Sequence, residues 1–209
     1  RRWRSRLRAR PAADGYLFLR GLLPADAVQA AQQSLLSQMQ TLGLAENSSG
    51  KAAPNNLPGS PSLGSSEVLA VLNHPALFRF LDLFFGEMTS VVFDANLRAV
   101  RPGQRTGFHT DSVYMGKLND ETLPPVVACW IPVTPIDLSL GGLVLCRGSN
   151  SHPGFEQFRQ TYGKLALDEA DIGGTGWFTE DPDEVLAFGG RFETAAFAQG
   201  DVVLFTMHT

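Results

Sequence analysis

The feature that most constrains this chain is a change of hydrophobic period at Gly86. Before it, apolar residues recur at steps of three and four. From Pro24 onward, Val28, Ala31, Leu35, Met39 and Leu42 fall on one stripe, which predicts an amphipathic helix. Pro24 and Asp26 suit its first turn and Gly43 its end. A second helical stretch runs from about Ser66 through Leu72, and a third from Pro75 to Phe85 with Gly86 as its stop. Beyond Gly86 the period becomes two. Val91, Phe93, Ala95, Leu97 and Ala99 are apolar and Asp94, Asn96 and Arg98 sit between them, so this strand has one greasy and one polar face. Further strands are predicted over 126–133, 142–147, about 193–198 and 201–207, separated by Gly and Pro turns. Helices first and strands later predict an α+β fold, with helices backing one sheet of a β-sandwich or jelly roll.

A chain of 209 residues, 44% of them hydrophobic, suits one globular domain with a sizeable core. Cys129 and Cys146 lie in apolar runs without a pairing pattern, which predicts free thiols in a reducing, cytoplasmic setting. No uninterrupted apolar run approaches the roughly 18 residues of a bilayer span, and the first residues lack the apolar core of a signal peptide. The net charge of −4 hides an asymmetry: residues 1–10 carry six Arg and no acid, leaving −10 on the rest. A basic tip can touch nucleic acid or acidic lipid, but the acidic body offers no basic stripe to continue such a surface. Residues 1–14 are therefore expected to be a solvated tail, with no nucleic-acid partner, followed by a monomeric domain over 15–209. Residues 47–65 hold 14 Asn, Ser, Gly or Pro among 19 and are expected to form a loop.

Of four His, His74 and His152 each precede a Pro at a helix start or turn, where a structural or solvated role is expected. His109 differs, because Asp111 follows it in GFHTDSVY. On a strand, residues i and i+2 project from one face about 6.6 Å apart, so the imidazole and carboxylate can converge on one ion. Two such ligands under-coordinate a metal, and a third is needed.

The order FHTD, ACWIPVTPID, LSLGGLVLCRGSNSHPG and QGDVVLFTMHT resembles the phytanoyl-CoA dioxygenase family of iron(II) and 2-oxoglutarate-dependent oxygenases. GYLFLRGLLPADAV is similar to the opening strand and helix of that family, so the resemblance covers about residues 15–209. It implies a double-stranded β-helix (cupin-like jelly roll) backed by N-terminal helices, with a polar-lined interior and an apolar exterior against the helices. It also implies Fe(II) held by His109, Asp111 and a distal His, with 2-oxoglutarate and O₂ in the open positions. The reaction it implies is hydroxylation of a small molecule, with decarboxylation of 2-oxoglutarate to succinate. Asn96 occupies the place of a family Asn that helps hold 2-oxoglutarate; a polar face turned to water is the other reading. Thr110 fills the variable place between the two ligands and Trp130 could line the cofactor pocket, although so large an aromatic in an apolar run is more often core.

Family spacing puts the distal His at position 211, ten residues after Asp201, and the oxoglutarate-anchoring Arg further on. The chain as read, ending at Thr209, is therefore expected to lack the end of the domain. His208 lies three residues early and would share a face with Val202 and Leu204, which favours a core-edge role over ligation. Residues 153–195, with GGTGWFTEDPDEV, read as a lid or as an ordinary insertion. Neither long loop carries a basic cluster suited to a CoA or phosphate group. Two other functions stay open: a non-catalytic jelly-roll isoform or paralogue acting by interaction, and a carbohydrate-binding β-sandwich.

Overall fold

Three helices pack on one face of a sheet, and their caps explain where each begins. The computed structural model describes residues 13–41, 64–91, 97–98, 105–115, 126–165 and 176–209. Helix α1 (Ala25–Thr41) buries Val28, Ala31 and Leu35, three of the predicted stripe. Helix α2 (Ser66–Leu72) starts where the Ser65 side chain accepts from the Val68 amide. Helix α3 (Pro75–Phe85) has Pro at its start and ends at Gly86, whose φ of 82° is left-handed. Residues 66–85 have a mean hydropathy of 1.4, enough by length and composition for a membrane span. They are nevertheless two helices broken at Asn73 and His74, and their buried side chains Val68, Val71, Leu77 and Leu81 join the core of the sheet.

That sheet is antiparallel, with β5 (Val202–Thr206) between β1 (Tyr16–Leu19) and β2 (Val127–Trp130). Alternation splits β5 between two cores. Val202 and Leu204 face the helices, with Leu17, Leu19 and Val127 packed beside them. Val203 faces a second cluster containing Leu145, Phe197, Tyr16, Phe18, Trp130 and Phe205. The helix-backed face is as expected. The opposite face is aromatic around β5 where a polar interior was expected, because Tyr16, Phe18, Trp130 and Phe205 all occupy the positions that alternate away from the helices.

A second sheet pairs β3 (Leu145–Arg147) with β4 (Arg191–Glu193). The strand expected over 193–198 thus lies earlier, and Phe197 instead makes an isolated bridge to Ile136. Charge sets this register. Glu193 accepts from the Tyr16 hydroxyl at 2.7 Å, from Arg147 at 3.2 Å and from Arg191. Between β3 and β4 the described residues form four short helical pieces, among them α4 (Glu156–Gln160) and α5 (Pro182–Leu186). The described parts of 153–195 are no simple lid: Phe155 is 2% exposed at the centre of a packed aromatic cluster. Ala13 and Asp14, on the tail side of the expected boundary, already bond to Ser151, Gly148 and Arg147. The Arg-rich residues 1–10 and nearly all of the expected loop lie outside the described residues.

The Glu193 cluster makes stability depend on acid. The Tyr16 hydrogen bond, then the Arg191 hydrogen bond, hold the Glu193 carboxyl down at about 2, against 4.5 for a free Glu. A carboxyl lowered on folding stabilises the native state above its unfolded value, and that contribution fades as pH falls toward 2. Glu193→Gln is expected to melt lower than the parent at pH 6 and to converge with it near pH 2. Thermal melts at half-unit steps check this, and parallel curves would exclude the assignment.

Candidate active site

His109 and Asp111 meet where the chain leaves an extended segment. Phe108 bridges to the 178–179 segment, its amide donating to the Thr179 carbonyl at 2.7 Å and its carbonyl accepting from the Phe178 amide at 2.8 Å, which anchors the approach. Thr110 is extended, with φ −111° and ψ 143°, and Asp111 opens a single 3₁₀ turn, Asp111–Tyr114. The pair is therefore not on a regular strand, as the i, i+2 reading expects, but at a strand-to-turn junction. One extended residue between them still leaves both side chains on one side: His109 Nε2 lies 3.7 Å from Asp111 Oδ1.

The tautomer of His109 follows from its partner. Nδ1 lies 2.8 Å from the Gly107 carbonyl oxygen, which can only accept, so Nδ1 carries a proton. In the neutral ring Nε2 then presents its lone pair toward the carboxylate. His74 and His152 have the reverse arrangement. Each caps a helical turn with Nδ1, accepting from the amides of Ala76 at 3.2 Å and Gly154 at 3.1 Å. They are structural caps, as their place before Pro suggests, and His109 alone of the three turns its Nε2 toward a carboxylate. Two electron-pair donors 3.7 Å apart are too far for a hydrogen bond, yet within the ~4.2 Å that two ligands about 2.1 Å from one cation can span. The donor set thus fits a divalent metal.

The surroundings hold this pair in place. Tyr114 sits edge-on to the His109 ring, centroids 5.3 Å apart. Burial, and then the Asp111 charge, raise the Tyr114 hydroxyl above its ordinary value, while Arg98 opposes them. Arg98, from the expected polar face, thus acts on the residue that stacks against His109. The Ser112 amide donates to the Met207 carbonyl at 2.9 Å, tying the turn to the end of β5.

Other sequence expectations fare differently. Thr110 is 4% exposed and its hydroxyl pairs with that of Ser112 at 2.9 Å, turned into the protein and not toward a ligand. Trp130 packs edge-on to Phe197, centroids 4.8 Å apart, as a member of the second core and not as a pocket wall. Asn96 lies outside the described residues. The His208 ring lies against Gly163, and its carbonyl accepts from Ser149 at 3.1 Å. Among the described residues, no group of three His, Cys, Asp or Glu comes together, so His208 does not complete the pair.

Sequence reasoning missed Tyr162. Its hydroxyl donates to the Gly176 carbonyl. Burial, followed by the charges of Tyr114 and Asp111, pushes its pKa well up, so it stays protonated. No periodicity or motif marks it.

Comparison with known proteins gives this geometry a context. The chain is 24% identical over 216 residues to the 1-deoxypentalenic acid 11-beta-hydroxylase of Streptomyces arenae, an alignment covering 91% of this chain and 67% of the relative. The enzyme of the same description from Streptomyces exfoliatus is 25% identical over 215 residues, with the same coverage. Among solved structures, the non-heme alpha ketoglutarate dependent epimerase SnoN from nogalamycin biosynthesis superposes with a TM-score of 0.55 at 17% identity, covering 99% of this chain and 74% of SnoN. SnoN in complex with Fe3+, alpha ketoglutarate and nogalamycin RO gives 0.50 at 16% identity, covering 99% and 75%. No protein-family model matches the chain. At these identities the structural likeness is one of fold: the chain has a mixed helix and sheet fold that superposes on SnoN.

Proposed function

We propose that this chain is the oxygenase domain of an Fe(II)- and 2-oxoglutarate-dependent enzyme of the phytanoyl-CoA dioxygenase type, built on a double-stranded β-helix and hydroxylating a small organic molecule. The observation that carries the reading is the His109 and Asp111 pair, with Nδ1 held on the Gly107 carbonyl and Nε2 turned to the carboxylate 3.7 Å away. The weak likeness to two hydroxylases and the fold likeness to SnoN support it.

In this reading His109 Nε2 and one Asp111 oxygen are two ligands of the metal, and Asn96 contributes to holding the oxoacid. The bound iron and 2-oxoglutarate supply activation of O₂, with loss of CO₂ to give succinate and oxidation of an aliphatic C–H bond. The chain's own residues prepare for this. Gly107 fixes the ring orientation and the tautomer, Tyr114 braces the ring from its side, and the bond from Ser112 to Met207 fixes the turn that aims Asp111.

Anaerobic titration of the full-length protein with Fe(II) and 2-oxoglutarate tests the proposal. A visible iron to oxoacid charge-transfer band is expected, and it should vanish in His109→Ala and in Asp111→Ala. Full-length protein that gives no band would overturn the reading and leave a scaffold acting by binding alone.

A further inference from the structure

We infer that Trp177 is a positioning residue for the proposed metal pair: its ring backs Gly107 and so steadies the carbonyl on which the His109 imidazole is oriented. The inference rests on the functional reading above and adds to it a residue from the stretch that the sequence offers only as a lid or an insertion. His109 Nδ1 lies 2.8 Å from the Gly107 carbonyl oxygen, so the imidazole follows any movement of that peptide. Gly107 is buried, and its φ lies outside the left-handed region, so its backbone would accept any residue. Space forbids one. A Cβ at 107 would lie 2.7 Å from Cε3 and 2.8 Å from Cδ2 of the Trp177 ring, and 3.0 Å from the Thr179 carbonyl oxygen. The indole therefore fills the volume that a side chain at 107 would take.

The other contacts of this segment show why a ring is needed there. In the peptide joining Gly107 to Phe108, the carbonyl meets His109 and the amide donates to Thr179 at 2.7 Å. The N–H and C=O of one peptide point in opposite directions, so these two bonds leave it free to rock about the line between them. Trp177 meets Gly107 on its Cα side, off that line, and blocks the rocking. Further along, the Phe108 ring stacks on Phe192, centroids 4.9 Å apart, and Arg105 pairs with Glu180 at 2.7 Å. They hold the residues to either side of Gly107, which leaves its own face to the indole. A ligand's orienting partner is effective only when it is itself held.

Trp177→Leu and Trp177→Phe in the full-length protein test this. Cδ2 and Cε3 lie next to the stem of the indole, where a Phe ring also puts carbons, whereas Leu leaves the face of Gly107 open. Two properties are read. One is the His109 ring N–H proton signal without metal, slowed in its exchange with water by the Gly107 bond. The other is Mn(II) affinity, from the electron paramagnetic resonance signal of free Mn(II). Trp177→Leu is expected to lose the slow N–H signal and to weaken Mn(II) binding about tenfold, while Trp177→Phe keeps both. Trp130→Leu, the same loss of bulk in the second core, is expected to change neither. Gly107→Ala, whose methyl group must displace the indole, is expected to repeat both losses, and it serves should Trp177→Leu fail to fold. Parent-like readings in Trp177→Leu or in Gly107→Ala overturn the positioning role and leave the functional reading intact. Equal losses in Trp177→Phe or Trp130→Leu, or a parent with no slow N–H signal, do the same. A parent whose Mn(II) binding is absent, or is unaffected by His109→Ala, overturns the functional reading and this inference with it.

Discussion

Replacing Asp201 with Asn is expected to destabilise the protein nearly as much as replacing it with Ala, by about 3 kcal/mol. Asp201 is 2% exposed at the head of β5 and serves both ends of its carboxylate. Oδ1 accepts from the Gly21 amide at 3.0 Å; Oδ2 accepts from the Ala198 amide at 2.9 Å and from Arg20 at 2.8 Å. Ala leaves both amides without a partner, and each orphan costs about 1–3 kcal/mol. Asn has one oxygen. Facing Gly21, it sets its NH₂ against the Ala198 amide and a guanidinium; flipped, it sets the NH₂ against Gly21. The ion pair adds little, because the Arg20 side chain is 58% exposed. Either variant should lower Tm by about 6–12 °C. An Asn variant as stable as the parent would show that one acceptor suffices there.

The same residue shows what the sequence discloses and what it conceals. The Gly-Asp before β5 stands out as part of an ordered motif, but its physical reason is three-dimensional. Gly200 has φ +92°, and a Cβ there would lie 2.4 Å from the Leu23 carbonyl, which that residue's own turn holds in place. Motif and helix stripe were legible because they are local. The helices are read from a step of three and four, and the end of the third from Gly86. The His109 and Asp111 pairing was legible for the same reason, although its strand setting was not: a 3₁₀ turn needs only four residues and carries no period. The inward Thr110 hydroxyl and the packed Trp130 ring depend on Ser112, Phe197 and the two cores, so position alone could not assign them.

The aromatic cluster beside the site was the least legible part. Phe155, Phe158, Tyr162, Phe178 and Phe188 come from three segments that have no shared period, and only the fold brings their rings within 4.9–6.0 Å of one another. Their proximity is what gives the loop after β3 a core of its own.

Phe155→Ala is therefore expected to cost about 3–5 kcal/mol, toward the upper end, with Phe155→Leu costing about 1–2. Phe155 packs edge-on to Phe158 and tilted against Phe188. The cost depends on whether the walls can close on the cavity. Here they are backbone: Gly190 passes so near that a Cβ would lie 3.0 Å from the Phe155 ring, and Gly154 so near Phe188 that a Cβ would meet its carbonyl at 1.9 Å. Bonds from Gly189 to Leu186, 2.8 Å, and from Phe155 to His152, 3.0 Å, hold those segments apart. Urea melts of the two variants measure the difference. A loss below about 1.5 kcal/mol in the Ala variant would mean that the loop repacks freely and has no fixed core of its own.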